Sequence, residues 1–206
     1  MYMSEWEGAF MMPEQFLSEG ERSYLLKIAR ESLEKSVNGL PLPHLDLNSL
    51  PPLLRAPGAS FVTLTFKGQL RGCIGALEPY QSLAEDVREH AVAAALQDYR
   101  FPPVQPNEVA DIEIEISHLT PSMILKYENP AELLKQLRPR IDGVVLRDGM
   151  RRATFLPQVW ENIPDAEEFL AHLCVKMGAP ADLWFRKKLD VRIYQVEEFH
   201  EKKGED

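Results

Sequence analysis

Phe61-Val62-Thr63-Leu64-Thr65-Phe66, then Lys67-Gly68, then Gln69-Leu70-Arg71-Gly72-Cys73-Ile74-Gly75 decide how this chain folds. A β-branched and aromatic run, a tight reversal and a second run of similar length predict an antiparallel hairpin. Side chains alternate along a strand, so Leu70 and Ile74 are expected on one face and Arg71 and Cys73 on the other. A thiol becomes a useful nucleophile or ligand only when its thiolate is stabilised, and an arginine two residues away on the same face is one means of doing so. Gly72 and Gly75 lack a Cβ and permit close approach by a ligand or another backbone.

Working outward toward the N-terminus, Ser18 and Glu21 form a capping box, followed by Leu26, Ala29, Leu33 and Val37 at helical spacing until Asn38-Gly39. Residues 1–17 read as a loose leader, with Met11-Met12 and Phe16 tucking against the body. Residues 40–59 carry five prolines among many leucines. That mixture forbids a regular element and predicts a connector packed over a surface.

Toward the C-terminus, Pro79 ends the extended run, and Ser82 with Glu85 caps a second helix whose stripe is Leu83, Val87, Ala91 and Ala94. The proline-rich loop that leaves it carries Asp98 and Arg100, expected either to pair structurally or to line a site. Ile112, Ile114 and Ile116 alternate with Glu113, Glu115 and Ser117 in the clearest strand of the chain. Two carboxylates on one strand face can act as acid and base or ligate a hard cation; the ordinary alternative is a face that meets water. Asn129-Pro130-Ala131-Glu132 opens a short helix. Residues 143–147 and 151–156 flank Asp148-Gly149, a type I′ hairpin signal. Asp165 and Glu168 cap a further helix closed by Gly178, residues 191–196 predict a closing strand, and 201–206 read as a polar tail.

Adjacent antiparallel pairs interleaved with about four helices predict an α+β fold with a mixed, mostly antiparallel sheet. The whole of residues 1–206 reads as a single domain with a folded body over 18–200. With 45% hydrophobic residues there is enough apolar side chain for a substantial core. No apolar run reaches the roughly 20 residues of a membrane span. Residues 1–10 carry Glu5 and Glu7 where a secretory signal carries basic residues, so a cytoplasmic location is expected.

A net charge of −9 works against attraction to a phosphate backbone and makes nucleic acid a poor first partner. The densest basic patch is Arg147, Arg151 and Arg152, joined by Arg186-Lys187-Lys188; such runs ordinarily mark solvated faces. Cys73 and Cys174 form neither a disulfide framework nor a CxxC pair, so neither an iron–sulfur cluster nor a structural zinc is expected of this chain alone.

Leu70-Arg71-Gly72-Cys73-Ile74-Gly75 resembles the LRGCIG signature of the AMMECR family, whose prokaryotic members are called AmmeMemoRadiSam system protein A. Asp98-Tyr99-Arg100-Phe101-Pro102-Pro103, the strand ending Glu115-Ile116-Ser117, and Thr154-Phe155-Leu156-Pro157-Gln158-Val159-Trp160 agree with it in order across the central half of the chain. The resemblance implies a larger and a smaller α/β subdomain meeting at a cleft, and a pathway shared with a Memo-like protein and a radical SAM enzyme. It identifies neither a particular reaction nor which cofactor, if any, takes part.

Four readings of the Cys73 region follow. Cys73 is a nucleophile or covalent carrier, activated by Arg71 or Arg100, with Glu113, Glu115 or His118 as proton partner. Alternatively, Cys73 and the glutamates hold a metal or a small anionic ligand, with Gly72, Gly75, Asp98, Arg100, Glu113 and Ser117 in binding roles. The chain can also be a non-catalytic adaptor that presents a substrate or binds a partner. Finally, Cys73 can be a small buried residue of the core.

Overall fold

The computed structural model describes residues 16–201. Met11 and Met12 of the predicted leader therefore lie outside the described residues, while Leu17 is buried and Phe16 exposed. The Ser18–Glu21 capping box is present and opens α1 (Glu19–Val37). The proline-rich connector contains short regular pieces: a three-residue 3-10 turn at Leu47–Ser49 and one helical turn, α2 (Pro52–Arg55). The expectation of no regular element there was too strict, because Pro52 stands at the first helical position, where its missing N–H costs nothing.

The hairpin is β1 (Pro57–Phe66) and β2 (Gln69–Gly75). Lys67 and Gly68 both take positive φ, 52° and 76°, the pattern of the type I′ turn whose twist matches its strands. Next come β3 (Gln81–Ser82), α3 (Leu83–Leu96) and β4 (Ile112–Leu119). The second lobe contains β5 (Met123–Ile124), α4 (Pro130–Gln136), β6 (Gly143–Asp148), β7 (Arg151–Phe155), α5 (Ala166–Lys176), α6 (Leu183–Arg186) and β8 (Asp190–Tyr194). The chain then returns to the first sheet as β9 (Val196–His200).

All pairings are antiparallel, so the fold is α+β with two sheets, ordered β2-β1-β4-β9 with β3 against β1, and β5-β8-β6-β7. Two details differ from the sequence reading. The closing strand is two strands divided at Gln195, whose N–H donates to Thr120 Oγ1 at 2.8 Å and whose carbonyl accepts from the Thr120 N–H at 2.9 Å. The two chain crossings between the lobes are thus bonded to each other. In the second hairpin the turn pair is Gly149-Met150, and only Gly149 takes positive φ, at 60°. That is the II′ pattern, since a residue bearing a Cβ avoids the left-handed region.

Each lobe has its own core. α1 and α3 cover one face of the first sheet through Leu25, Leu33, Val87, Ala91, Ile114 and Ile116. In the second, the Trp160 ring stacks on Phe169 at 3.6 Å between centres, and its Nε1 donates to the Asp142 carbonyl at 2.7 Å. A small apolar joint of Ala59, Leu119, Val145 and Tyr194, with Phe61, Leu156 and Val196 against it, unites the lobes. Among the described residues no helix is long and apolar enough to cross a membrane.

Candidate functional site

The first sheet carries helices on one face only, and the residues on the other face follow from its register. Cys73 stands opposite Thr63, Thr63 opposite Glu115, and Glu115 opposite His200, in one row across four strands. Phe61, Gly75, Ser117 and Glu198 form the next row. Where the second lobe abuts this open face, Leu156 and Gln158 form a wall, and a cleft of about 290 Å³ remains between wall and sheet. Its polar lining is Thr63, Cys73, Glu115, Ser117, Gln158 and Glu198.

Within the cleft Thr63 Oγ1 donates to Cys73 Sγ at 3.3 Å, and Gln158 Nε2 donates to Glu198 Oε1 at 2.9 Å. Among the described residues the Glu115 carboxylate and the Ser117 hydroxyl make no hydrogen bond or ion pair. Strands lie about 4.8 Å apart, so the Cα atoms of Cys73 and Glu115, separated by β1, are about 10 Å apart. Thiol and carboxylate therefore flank the Thr63 hydroxyl and leave room for a ligand group between them.

The edge strand that presents Cys73 is held from outside. Asp98 Oδ2 accepts the Cys73 N–H at 2.9 Å and Arg100 Nη2 at 2.6 Å; Asp98 Oδ1 accepts the Arg100 N–H and Nε at 3.1 and 2.9 Å. Arg100 Nη2 also donates to the Cys73 carbonyl at 3.2 Å. The Arg100 guanidinium, followed by the Cys73 and Arg100 N–H groups, holds the buried Asp98 carboxyl well below the usual carboxylate range against the opposing effect of burial. One ion pair thus replaces the neighbouring strand that β2 lacks.

Arg71 lies at a β-bulge, where Leu64 pairs with Gly72 and Thr65 with Leu70, so the strict alternation read from the sequence breaks there. Its guanidinium binds Glu108 with both Nε and Nη2, at 2.9 and 3.0 Å, and donates through Nη1 to the Pro102 carbonyl at 2.9 Å. Arg71 foremost, with the Gln105 N–H, keeps the Glu108 carboxyl below its ordinary value. The structure places Arg71, Asp98 and Arg100 in the frame around β2, while Cys73, Glu115 and Ser117 line the cleft.

Gly72 turns toward α3, where an added Cβ would lie 2.1 Å from the Ala94 carbonyl oxygen. A Cβ on Gly75 would meet the Phe61 ring at 2.4 Å. The two glycines serve backbone and ring packing here. Glu113 lines a separate groove of about 970 Å³ beside α1 and β9. His118 lies on the helix-covered face, with Nδ1 2.9 Å from Glu197 Oε2, away from Glu115.

Sequence reasoning missed Thr63, Gln158 and Glu198 as lining residues. Thr63 was legible as the cross-strand neighbour of Cys73 once the turn at Lys67-Gly68 set the register. Gln158 and Glu198 enter through contact between lobes, which no local pattern announces. Among the described residues, no group of three or more His, Cys, Asp and Glu side chains is placed to hold a metal ion.

Segments 70–75, 98–103, 115–117 and 154–160 thus converge on one cleft and its frame. The AMMECR1 family profile matches residues 26–199, and the chain belongs to this family. A protein of Methanothermobacter thermautotrophicus is 42% identical over 193 residues, covering 90% of this chain and 96% of its own length. Protein MJ0810 of Methanocaldococcus jannaschii is 35% identical, covering 88% of this chain and 90% of its own. The crystal structure of the uncharacterized protein PH0010 from Pyrococcus horikoshii superimposes with a TM-score of 0.66 at 32% identity, over 87% of this chain and 90% of that one.

Proposed function

We propose that the cleft at Cys73 is a ligand site in which a small polar molecule is held between the thiol and the Glu115 carboxylate. The observation that carries this reading is the division of labour among polar groups. Arg71, Asp98, Arg100 and Glu108 are committed to holding β2, whereas Glu115 and Ser117 are uncommitted and line the same cleft as the thiol. Two carboxylates, two hydroxyls, an amide and a thiol, with no arginine or lysine in the lining, suit a ligand bearing hydroxyl or cationic groups. Both nearby arginines already bind carboxylates, which favours ligand presentation over a thiol activated in the resting protein.

In this reading the protein presents its ligand within a modification pathway shared with a Memo-like protein and a radical SAM enzyme. Leu70 on β2 and Tyr99, which is 94% exposed between the Asp98 and Arg100 that clamp the outer edge of β2, supply exposed apolar side chains for such a partner. Cys73→Ser should leave the thermal midpoint within about 2 °C, since the side chain is half-buried and makes one weak hydrogen bond. It should abolish turnover in the reconstituted pathway while partner co-purification persists. Full turnover by the variant would refute a role for the thiol, and absence of any complex at micromolar concentrations would refute the partnership.

A further inference from the structure

The basic patch of the second lobe is divided by the fold into two unlike parts. Arg151 and Lys187 both pair with Asp148, Arg186 pairs with Asp182, and Lys188 with Glu128. Arg147 and Arg152 share the opposite face of the sheet, where they stand directly across from each other on β6 and β7. Arg192 joins them from β8, two residue pairs along on the same face, opposite Val145.

This second group is poorly satisfied. Among the described residues the Arg147 side chain makes no hydrogen bond or ion pair, and its buried Nε has no partner. The Nε of Arg192 is also buried without a hydrogen bond, although it forms a long ion pair with Asp190 at 3.7 Å, and Asp190 stands directly across from Arg147 on this same face. Arg152 is held by Glu78, an exposed side chain on the loop that follows β2. Like charges directly opposite on a sheet destabilise it, and a buried donor without an acceptor carries its full desolvation cost. The apolar joint on this same face, at Val145 and Tyr194, does not require three arginines beside it.

We propose that Arg147, Arg152 and Arg192 form a binding site for the phosphate group of a small phosphorylated molecule. Guanidinium forks on three adjacent strands offer convergent donors to one tetrahedral dianion, whose oxygens have enough lone pairs for all of them. Thr154 and Tyr194 occupy the same face, their hydroxyls 3.1 Å apart, beside the arginines. A nucleic-acid backbone would need a track of available charges. The other basic side chains of the patch are neutralised one by one, and the whole chain carries −9. Glu78 holds Arg152 until the phosphate displaces it. This site is distinct from the Cys73 cleft and does not depend on its function.

The test is calorimetric titration of the full chain with glycerol 3-phosphate and with a single-stranded oligonucleotide, at constant ionic strength. Saturable binding of glycerol 3-phosphate is expected, weakened about tenfold or more by Arg147→Gln and tightened up to about fivefold by Glu78→Gln. Arg147→Gln removes a like-charge pair, so its thermal midpoint should not fall. Arg192→Lys, which keeps the charge and loses the fork, should also weaken binding. No saturation in the wild type, or unchanged affinity in both arginine variants, would overturn the proposal. Tighter binding of the oligonucleotide with a steep salt dependence would overturn it in favour of nucleic acid.

Discussion

Gly72→Ala is expected to destabilise the protein by about 3 kcal/mol or more, an unusually large effect for one methyl group. The added Cβ would lie 2.1 Å from the carbonyl oxygen of Ala94, and the obstacle is backbone of α3 that no rotamer change can clear. Either β2 or α3 must retreat, and the alanine-lined contact between helix and sheet opens with it. Gly20→Ala is the matched control. That position lies in α1 with nothing within 4 Å of the new methyl, so the change should be neutral or stabilise by up to about 1 kcal/mol. Urea denaturation of both variants checks the contrast, and equal stabilities would contradict the close approach of α3 to β2.

Asp98→Ala is expected to cost about 3 kcal/mol, because the Cys73 and Arg100 N–H groups lose their acceptor together with the ion pair. Arg100 is 43% exposed on its side chain and can recover hydration, which keeps the cost from rising further. The same group sets an acid limb of stability. Its folded-state pKa lies below the ordinary carboxylate value near 3.9, so its contribution is present above about pH 4 and lost as the pH falls toward the depressed value. Urea midpoints measured from about pH 5 down to pH 2.5 should fall less steeply in Asp98→Asn than in the wild type. Parallel curves would show that Asp98 is not held ionised by this clamp.

Both effects concern the frame around one strand, and the frame was the part of the molecule least visible in the sequence. The capped helices, the first hairpin and the alternating Ile112–Leu119 strand were legible because each depends on interactions a few residues apart: Ser18 with Glu21, Lys67 with Gly68, Ile114 with Ile116. The strand break at Gln195 was not, since it depends on Thr120 from another part of the chain. Cys73, Glu115 and Ser117 could be named because the period of two put the latter pair on one face and glycines singled out the cysteine. That Arg71 would bind Glu108 instead of attending the thiol could not be read, because a bulge breaks the alternation there and Glu108 arrives from a distant loop. Gly72 was read as permitting close approach by a ligand or another backbone, and the approach is that of the α3 backbone at Ala94, which the sequence alone could not single out.

Cys73 opens into a cleft that it shares with Ser117 and Glu115. The direct measurement is the rate of iodoacetamide labelling of the folded protein in a Cys174→Ser background, compared with the same protein carrying Ser117→Trp to fill the cleft. Cys73 is half-buried, whereas Cys174 is fully enclosed, so labelling of Cys73 without unfolding is predicted. The tryptophan should slow it on the order of tenfold, with thermal unfolding still cooperative. A Cys73 that stays unlabelled until the chain unfolds, or a rate indifferent to the tryptophan, would contradict the cleft as the protein's ligand site.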